Sequence, residues 1–171
     1  MEYILCTEDN LDELEEFYNK EVLYLDETIN YPKWVYNNYP SRSTIKAVIE
    51  KKEQYAYLEN GKIVGAFVFN EEPGGKYENA KVSFNRGEYL IIHTLAIDHG
   101  HYKKGIASKI VKYCIEKAKK EGYKAICADI VPTNIPSRKL FEKSGFVYLG
   151  DFDLERNIED IPVFSMYELK L

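Results

Sequence analysis

The run from Tyr89 to Ala107, YLIIHTLAIDHGHYKKGIA, leaves a chain few ways to fold. It opens as a strongly apolar strand, breaks into a short polar turn near Asp98, and enters a helix behind two lysines and a glycine. Ile106, Ile110, Val111, Cys114, Ile115 and Ala118 recur at helical spacing and bury one face, so the helix is anchored and the turn before it exposed. Free backbone N–H groups and the positive end of the helix dipole make such a turn a seat for phosphate, and Lys103 and Lys104 add charge there. A second reading stays open: Gly105 relieves crowding between strand and helix, and the lysines are simply solvated. The spacing fits neither common phosphate loop. Nucleoside-triphosphate loops need Gly-Lys-Ser/Thr after an earlier glycine, and dinucleotide folds need G-x-G-x-x-G, whereas Gly105-Ile106-Ala107 offers only Gly-x-Ala.

The chain of 171 residues suits a single domain, 1–171, with a substantial core. With 45% hydrophobic and 30% charged residues it is globular and soluble, not disordered. A net charge of −5 and a pI near 5.4 argue against general adhesion to nucleic acid or anionic membrane, and weakly favour a cationic substrate. No apolar run approaches the roughly 20 residues that span a bilayer, and MEYILCTEDN lacks a basic segment followed by an apolar signal core, so a cytoplasmic location is expected. Cys6, Cys114 and Cys127 are odd in number and not spaced as C-x-x-C, which reads as small buried hydrophobes and not as a disulfide or zinc framework.

Glu2 to Cys6 reads as a first strand, and Asn10 with Glu13 as a reciprocal cap on a helix whose apolar face is Leu11, Leu14, Tyr18, Val22 and Leu25. The segment NYPKWVYNNYPSRS is irregular and rich in aromatic residues, and a second helix follows from about Thr44 to Lys52. Gln54–Glu59 and Lys62–Asn70 are strands joined by Asn60-Gly61, the preferred pair for a two-residue hairpin. A loop follows, with a short strand expected near Lys81 to Phe84. After the opening strand and its helix, which stops at Gly122, come a strand at Lys124 to Val131, a helix at Ile135 to Ser144, and strands at Phe146 to Asp153 and Pro162 to Lys170. All segments belong to one mixed α/β sheet.

AIDHGHYKKGIASKIV, followed by NIPSRKLFEKSGF, resembles the two central motifs of the GNAT superfamily of N-acetyltransferases. Those motifs read (Q/R)-x-x-G-x-(G/A) and N-x-x-(A/S)-x-x-L-(Y/F)-x-K-x-G-F. The second is matched at Asn134, Ser137, Leu140, Phe141, Lys143, Gly145 and Phe146. The resemblance covers Glu53 to Leu171 well and Met1 to Lys52 loosely. The chain is also similar to a bacterial subgroup of unassigned substrate, through Tyr31-Pro32-Lys33-Trp34 and Asp129.

The resemblance implies a mixed-sheet acyl-CoA N-acyltransferase fold whose fourth and fifth strands splay apart. Backbone groups left unpaired there need partners, and the peptide-like pantetheine arm of acetyl-CoA supplies them. By position Leu95, Ala96 and Ile97 form that bonding stretch, while Lys103, Lys104, Gly105, Ile106, Ala107 and Ser108 seat the pyrophosphate. Asn134 meets the arm near the thioester, with Ser137 and Phe141 in the same cofactor motif. The pattern is broken twice: Tyr102 stands where Gln or Arg is usual, and Phe141 where many members carry the tyrosine that protonates the departing thiolate.

Acetyl transfer to an amine requires a neutral amine, and alkylamines of pKa about 10.4 must lose a proton near neutrality. His93 is the candidate base, two residues before Leu95, with strand alternation placing 91, 93, 95 and 97 on one face. A buried structural or substrate-shaping histidine is the other reading of His93. Asp129 is a second candidate, to orient water or bind the amine, unless its carboxylate is tied up locally. Trp34 and Tyr36 are candidate walls of the acceptor pocket; core packing or a homodimer contact is the alternative. His93, His99 and His101 lie close in sequence beside Asp98, but their spacing supplies no closed ligand set, so no metal is expected. The expected partner is a small-molecule or peptide amine. The rival reading is a non-catalytic acyl-CoA-binding sensor or interaction module, motivated by Tyr102 and Phe141.

Overall fold

The computed structural model describes residues 2–171; Met1, the first residue of the expected 1–171 domain, lies outside them. In chain order the elements are β1 (Glu2–Leu5), α1 (Leu11–Glu27), α2 (Arg42–Glu50), β2 (Gln54–Glu59), β3 (Lys62–Asn70), β4 (Tyr89–Ile97), α3 (Ile106–Glu121), β5 (Ala125–Ile130), α4 (Ile135–Lys143), β6 (Val147–Phe152) and β7 (Phe164–Lys170). The strands form a seven-stranded mixed sheet in the order β1-β2-β3-β4-β5-β7-β6, with β4 and β5 parallel. The expected mixed α/β class is found. The β2–β3 hairpin turns on Asn60 and Gly61, both with positive φ (52° and 74°), as a type I′ turn requires. No helix among the described residues is long and apolar enough to cross a membrane.

Three local expectations are corrected. The reciprocal cap lies one turn earlier than expected: the Thr7 amide donates to Asn10 Oδ1 (2.9 Å), while Glu13 instead accepts the Ile63 amide (3.2 Å). The second helix starts at Arg42, two residues early, because Ser41 caps it, accepting from the Thr44 amide while its own amide donates to Thr44 Oγ1 (2.8 Å). No strand forms at 81–84. The Ser83 amide and hydroxyl both donate to the Glu168 carboxylate (2.7 and 2.6 Å), which takes the N–H a ladder would need.

Contacts gather the chain into two compact units, Met1–Phe69 with Thr94–Ile110, and Asn70–His93 with Val111–Leu171. In the first, Leu14 and Tyr18 of α1 pack with Ile45 and Ile49 of α2, Ala66 of β3 and Ala96 of β4. Gly65 belongs to this unit; a Cβ there would come within 2.8 Å of Ile110 Cδ1 and 3.2 Å of Ile97 Cδ1, so a side chain at this point of β3 would make those methyl groups shift. In the second unit the core holds Tyr77, Tyr89, Ile91, Cys127, Leu154 and Met166. The parallel β4–β5 ladder runs only from Tyr89↔Ala125 to Ile91↔Cys127. Both strands continue beyond it, β4 to Ile97 and β5 to Ile130, the latter paired to β7. The ladder thus stops where the resemblance puts the splay.

Candidate active site

The 98–105 turn leaves β4 with the Asp98 amide bonded to Val64 O (3.0 Å). The Asp98 carboxylate accepts from the Gly100 amide (2.7 Å) and from Lys20 Nζ (2.8 Å). Partial burial works against this ionised carboxylate, but those two donors hold it below the ordinary aspartate range. His99 is clamped by Glu21, which accepts its backbone N–H and its ring Nδ1 at 3.0 Å each, and its ring stacks on Tyr24 with centroids 4.1 Å apart. His101 Nε2 faces Glu59 at 3.1 Å. Both histidines therefore fasten the turn. Gly105 answers the question its sequence left open: a Cβ there would meet nothing within 4 Å, while its φ of +76° demands glycine. Crowding is relieved at Gly65 instead. Lys103, Lys104 and Ser108 are exposed beside it, with Ile106 buried and Ala107 half-buried, and neither lysine side chain makes an ion pair with any described residue. Tyr102 lies edge-on to Tyr24 (5.9 Å), and burial raises its phenol to about 12.

Strict alternation along β4, expected to align 91, 93, 95 and 97, is broken at Thr94, whose φ is +50°. Its carbonyl accepts from the Tyr18 hydroxyl (2.9 Å), and its Oγ1 shares a hydrogen bond with the Tyr39 hydroxyl (2.6 Å). Trp34 packs edge-on to both tyrosines, with centroids 6.1 and 6.4 Å away, and its backbone is gripped by the Asn30 side chain. Tyr36 is turned to solvent, 43% exposed.

His93 Nε2 lies 2.9 Å from the Glu72 carbonyl. A carbonyl only accepts, so Nε2 is the donor there, and Nδ1 lies 3.8 Å from Asp129 Oδ2. Asp129 is nearly buried, its side chain 4% exposed, and both oxygens are occupied: Oδ2 by the Tyr77 hydroxyl (2.5 Å) and Oδ1 by Arg156 Nη1 (2.8 Å). Burial first, then the facing carboxylate, hold the Tyr77 phenol well above its ordinary value, so it remains a donor. Gly74 lets the loop approach: a Cβ there would lie 3.2 Å from Asp129 Oδ2 and 3.3 Å from Arg156 Nη1. The arrangement commits Nε2 of the histidine to donating and sets a compensated carboxylate beside its Nδ1.

Asn134 caps α4, its Oδ1 accepting from the Ser137 amide (3.3 Å). Phe141 is buried, edge-on to Phe146 at 4.9 Å. Cys127 is fully buried and its thiol pushed up by that burial, so it is no nucleophile. Glu21, Asp98 and His99 bring ligand-type atoms within 4.8 Å of one another, but the carboxylates already accept from His99, Lys20 and Gly100. The cluster is a hydrogen-bond clamp.

Residues 10–146 match the family described as Acetyltransferase (GNAT) family. The chain belongs to the GNAT acetyltransferase family. A curated relative, the uncharacterized N-acetyltransferase YsnE of Bacillus subtilis (strain 168), is 32% identical over 63 residues, 36% of this chain and 42% of YsnE. The match thus spans less than half of that relative's length. Among solved structures, a GNAT-family acetyltransferase from Streptococcus agalactiae 2603 superposes with a TM-score of 0.80 at 19% identity, covering 99% of this chain and 95% of that one. The structure of yncA from Salmonella typhimurium, solved with its cofactor acetyl-CoA, gives 0.72 at 18% identity over 100% and 94%. An acetyltransferase from Staphylococcus aureus Mu50 gives 0.72 at 23% identity over 99% of both chains. These structural likenesses concern the fold. In this chain residues 95–97 lie on β4, 103–105 in the 98–105 turn and 106–108 at the start of α3, while the second motif runs from Asn134, the cap of α4, to Phe146 just beyond that helix. Sequence reasoning missed Tyr77, Arg156, Tyr18, Tyr39 and Glu21. Only Glu21 left a signal: a carboxylate on the stripe that α1 buries.

Proposed function

We propose that residues 1–171 act as one domain that moves an acetyl group from acetyl-CoA to a primary amine, by direct transfer in a ternary complex. The observation that carries this reading is the 98–105 turn of a GNAT-family chain: an open Gly105 at φ +76°, preceded by two exposed lysines that pair with no described residue. Such a turn fits a pyrophosphate, since anion oxygens can approach the backbone where no Cβ intervenes. Leu95, Ala96 and Ile97 would bond the pantetheine arm along β4, and Asn134, Ser137 and Phe141 are the cofactor contacts proposed on and beside α4. Lys103 and Lys104 replace the charge that Tyr102 does not provide.

Bound acetyl-CoA supplies an acyl thioester, and a backbone N–H near Ala96 or Ile97 would hold the developing oxyanion. His93 Nδ1 takes the proton from the acceptor ammonium, and Asp129 stabilises the resulting imidazolium. With both oxygens occupied, Asp129 acts by charge and position and does not itself bind the amine. Phe141 carries no proton, and a thiol of pKa about 8.5 leaves adequately as thiolate. Trp34, braced by Asn30, and the exposed Tyr36 would present ring faces to a small-molecule or peptide amine. The test is release of free thiol from acetyl-CoA over a panel of polyamines, amino acids, arylalkylamines and peptides. Turnover on one class supports the reading; saturable binding of acetyl-CoA with no turnover on any acceptor overturns it in favour of a sensor.

A further inference from the structure

Thr94 is the backbone anomaly of β4. Among the described residues, the other non-glycine residues with positive φ are lysine, asparagine, aspartate or glutamate; Thr94 alone is β-branched, and it alone lies inside a strand. Branched side chains adopt that conformation rarely, and backbone outliers of this kind persist only where their surroundings over-determine them. Two hydroxyls do so here, acting on two different atoms. Tyr18 donates to the Thr94 carbonyl, and since that oxygen only accepts, the Tyr18 proton is committed to it. Tyr18 is fully buried, and its own oxygen accepts from Gln54 Nε2 (3.4 Å), which is also anchored on the Tyr55 and Phe67 carbonyls (3.1 Å each). Tyr39 meets the Thr94 hydroxyl from the aromatic segment, and Trp34 fills the angle between the two tyrosines.

A left-handed residue inside a strand re-aims the peptide groups that follow it, as a bulge does. The groups that follow Thr94 are those of Leu95 to Ile97, and the residue before it is His93. We propose that Tyr18 and Tyr39 are positioning residues for acyl transfer: their hydroxyls hold Thr94 in its left-handed conformation and thereby aim the backbone that receives the acyl group. The inference rests on the acetyl-transfer reading, and it assigns a task to the aromatic segment beyond walling a pocket.

The test is a double-mutant cycle on kcat and KM for acetyl-CoA with one accepted amine, using Tyr18→Phe, Tyr39→Phe and Thr94→Gly. Tyr18→Phe removes only the hydroxyl and leaves Gln54 its two carbonyls. It is expected to lower kcat about tenfold while KM for acetyl-CoA moves less than about threefold, because one hydrogen bond to the reacting region is lost and the phosphate seat is untouched. In a Thr94→Gly background the left-handed backbone has no steric cost, so Tyr18→Phe should lower kcat less than about threefold. Tyr39→Phe, at an exposed hydroxyl, is the second probe should Tyr18→Phe melt early: about a threefold fall in kcat alone, and no effect once Thr94 is glycine. An equal loss in both backgrounds, or a loss in KM with kcat unchanged, overturns the inference alone. A wild-type protein that releases no thiol with any amine overturns the acetyl-transfer reading, and the inference with it.

Discussion

At the 98–105 turn Lys103 and Lys104 stand exposed and make no ion pair with any described residue, whereas around Asp129 each carboxylate oxygen already has a donor. The two regions carry charge for different ends. Exposed cations on an open turn cost little in water and can meet an anion from outside, so binding is the role proposed for the turn. A nearly buried carboxylate between Tyr77 and Arg156 is held in place by the fold, so its value lies in what it does to its neighbour His93. One region should therefore govern affinity for acetyl-CoA and the other the rate of transfer.

The largest separation is expected from His93→Ala. Removing a general base lowers kcat about a hundredfold or more, with KM for acetyl-CoA little changed. The wild-type rate should rise with pH through the neutral range, where an imidazole base sheds its proton, and the variant should lose that rise. A pH–rate profile on an accepted amine checks both, and an unchanged kcat returns His93 to a structural role. Asp129→Asn sharpens the same side of the comparison through stability. It removes the counter-charge of Arg156, whose side chain is 25% exposed, so the loss in urea unfolding should be about 2–4 kcal/mol, somewhat under that of a fully buried pair.

On the other side, Gly105→Glu puts bulk and negative charge at the turn. Calorimetry should show coenzyme A affinity reduced about a hundredfold, while the far-ultraviolet circular dichroism stays native. Unchanged affinity would remove the phosphate seat. The smallest effect concerns the fastening of the turn. Because the folded protein holds the Asp98 carboxyl below its ordinary range, its stabilising contribution is complete above the unfolded value near 3.9 and is lost as pH falls through the lower folded one. Lys20 is half exposed, so Lys20→Ala should cost no more than about 0.5 kcal/mol, read as a small drop in melting temperature confined to pH above about 4.

The local elements, the 98–105 turn and its helix among them, were largely legible in the sequence because their signals are local. Helical spacing from Ile106 to Ala118, the Asn60-Gly61 turn, and Gly122 and Gly145 at helix ends, with φ of +83° and +91°, each specify structure within a few residues. The surroundings of Asp129 were not legible, because Tyr77 and Arg156 reach it from 52 and 27 residues away and no spacing rule links them. Thr94 was hidden by its own chemistry. Threonine favours strands, so its left-handed backbone shows only with Tyr18 and Tyr39 in place. Gly65 was equally silent, since its reason lies in Ile110, far along the chain.

The most direct measurement is a titration of the isotope-labelled protein with acetyl-CoA, followed through its backbone amides, with free thiol read in the same samples after an amine is added. The account predicts saturable shifts concentrated at 95–97 and 103–108, followed by thiol release that Gly105→Glu abolishes through affinity and His93→Ala through rate. Saturable shifts elsewhere in the chain, with those two stretches unmoved, would contradict it.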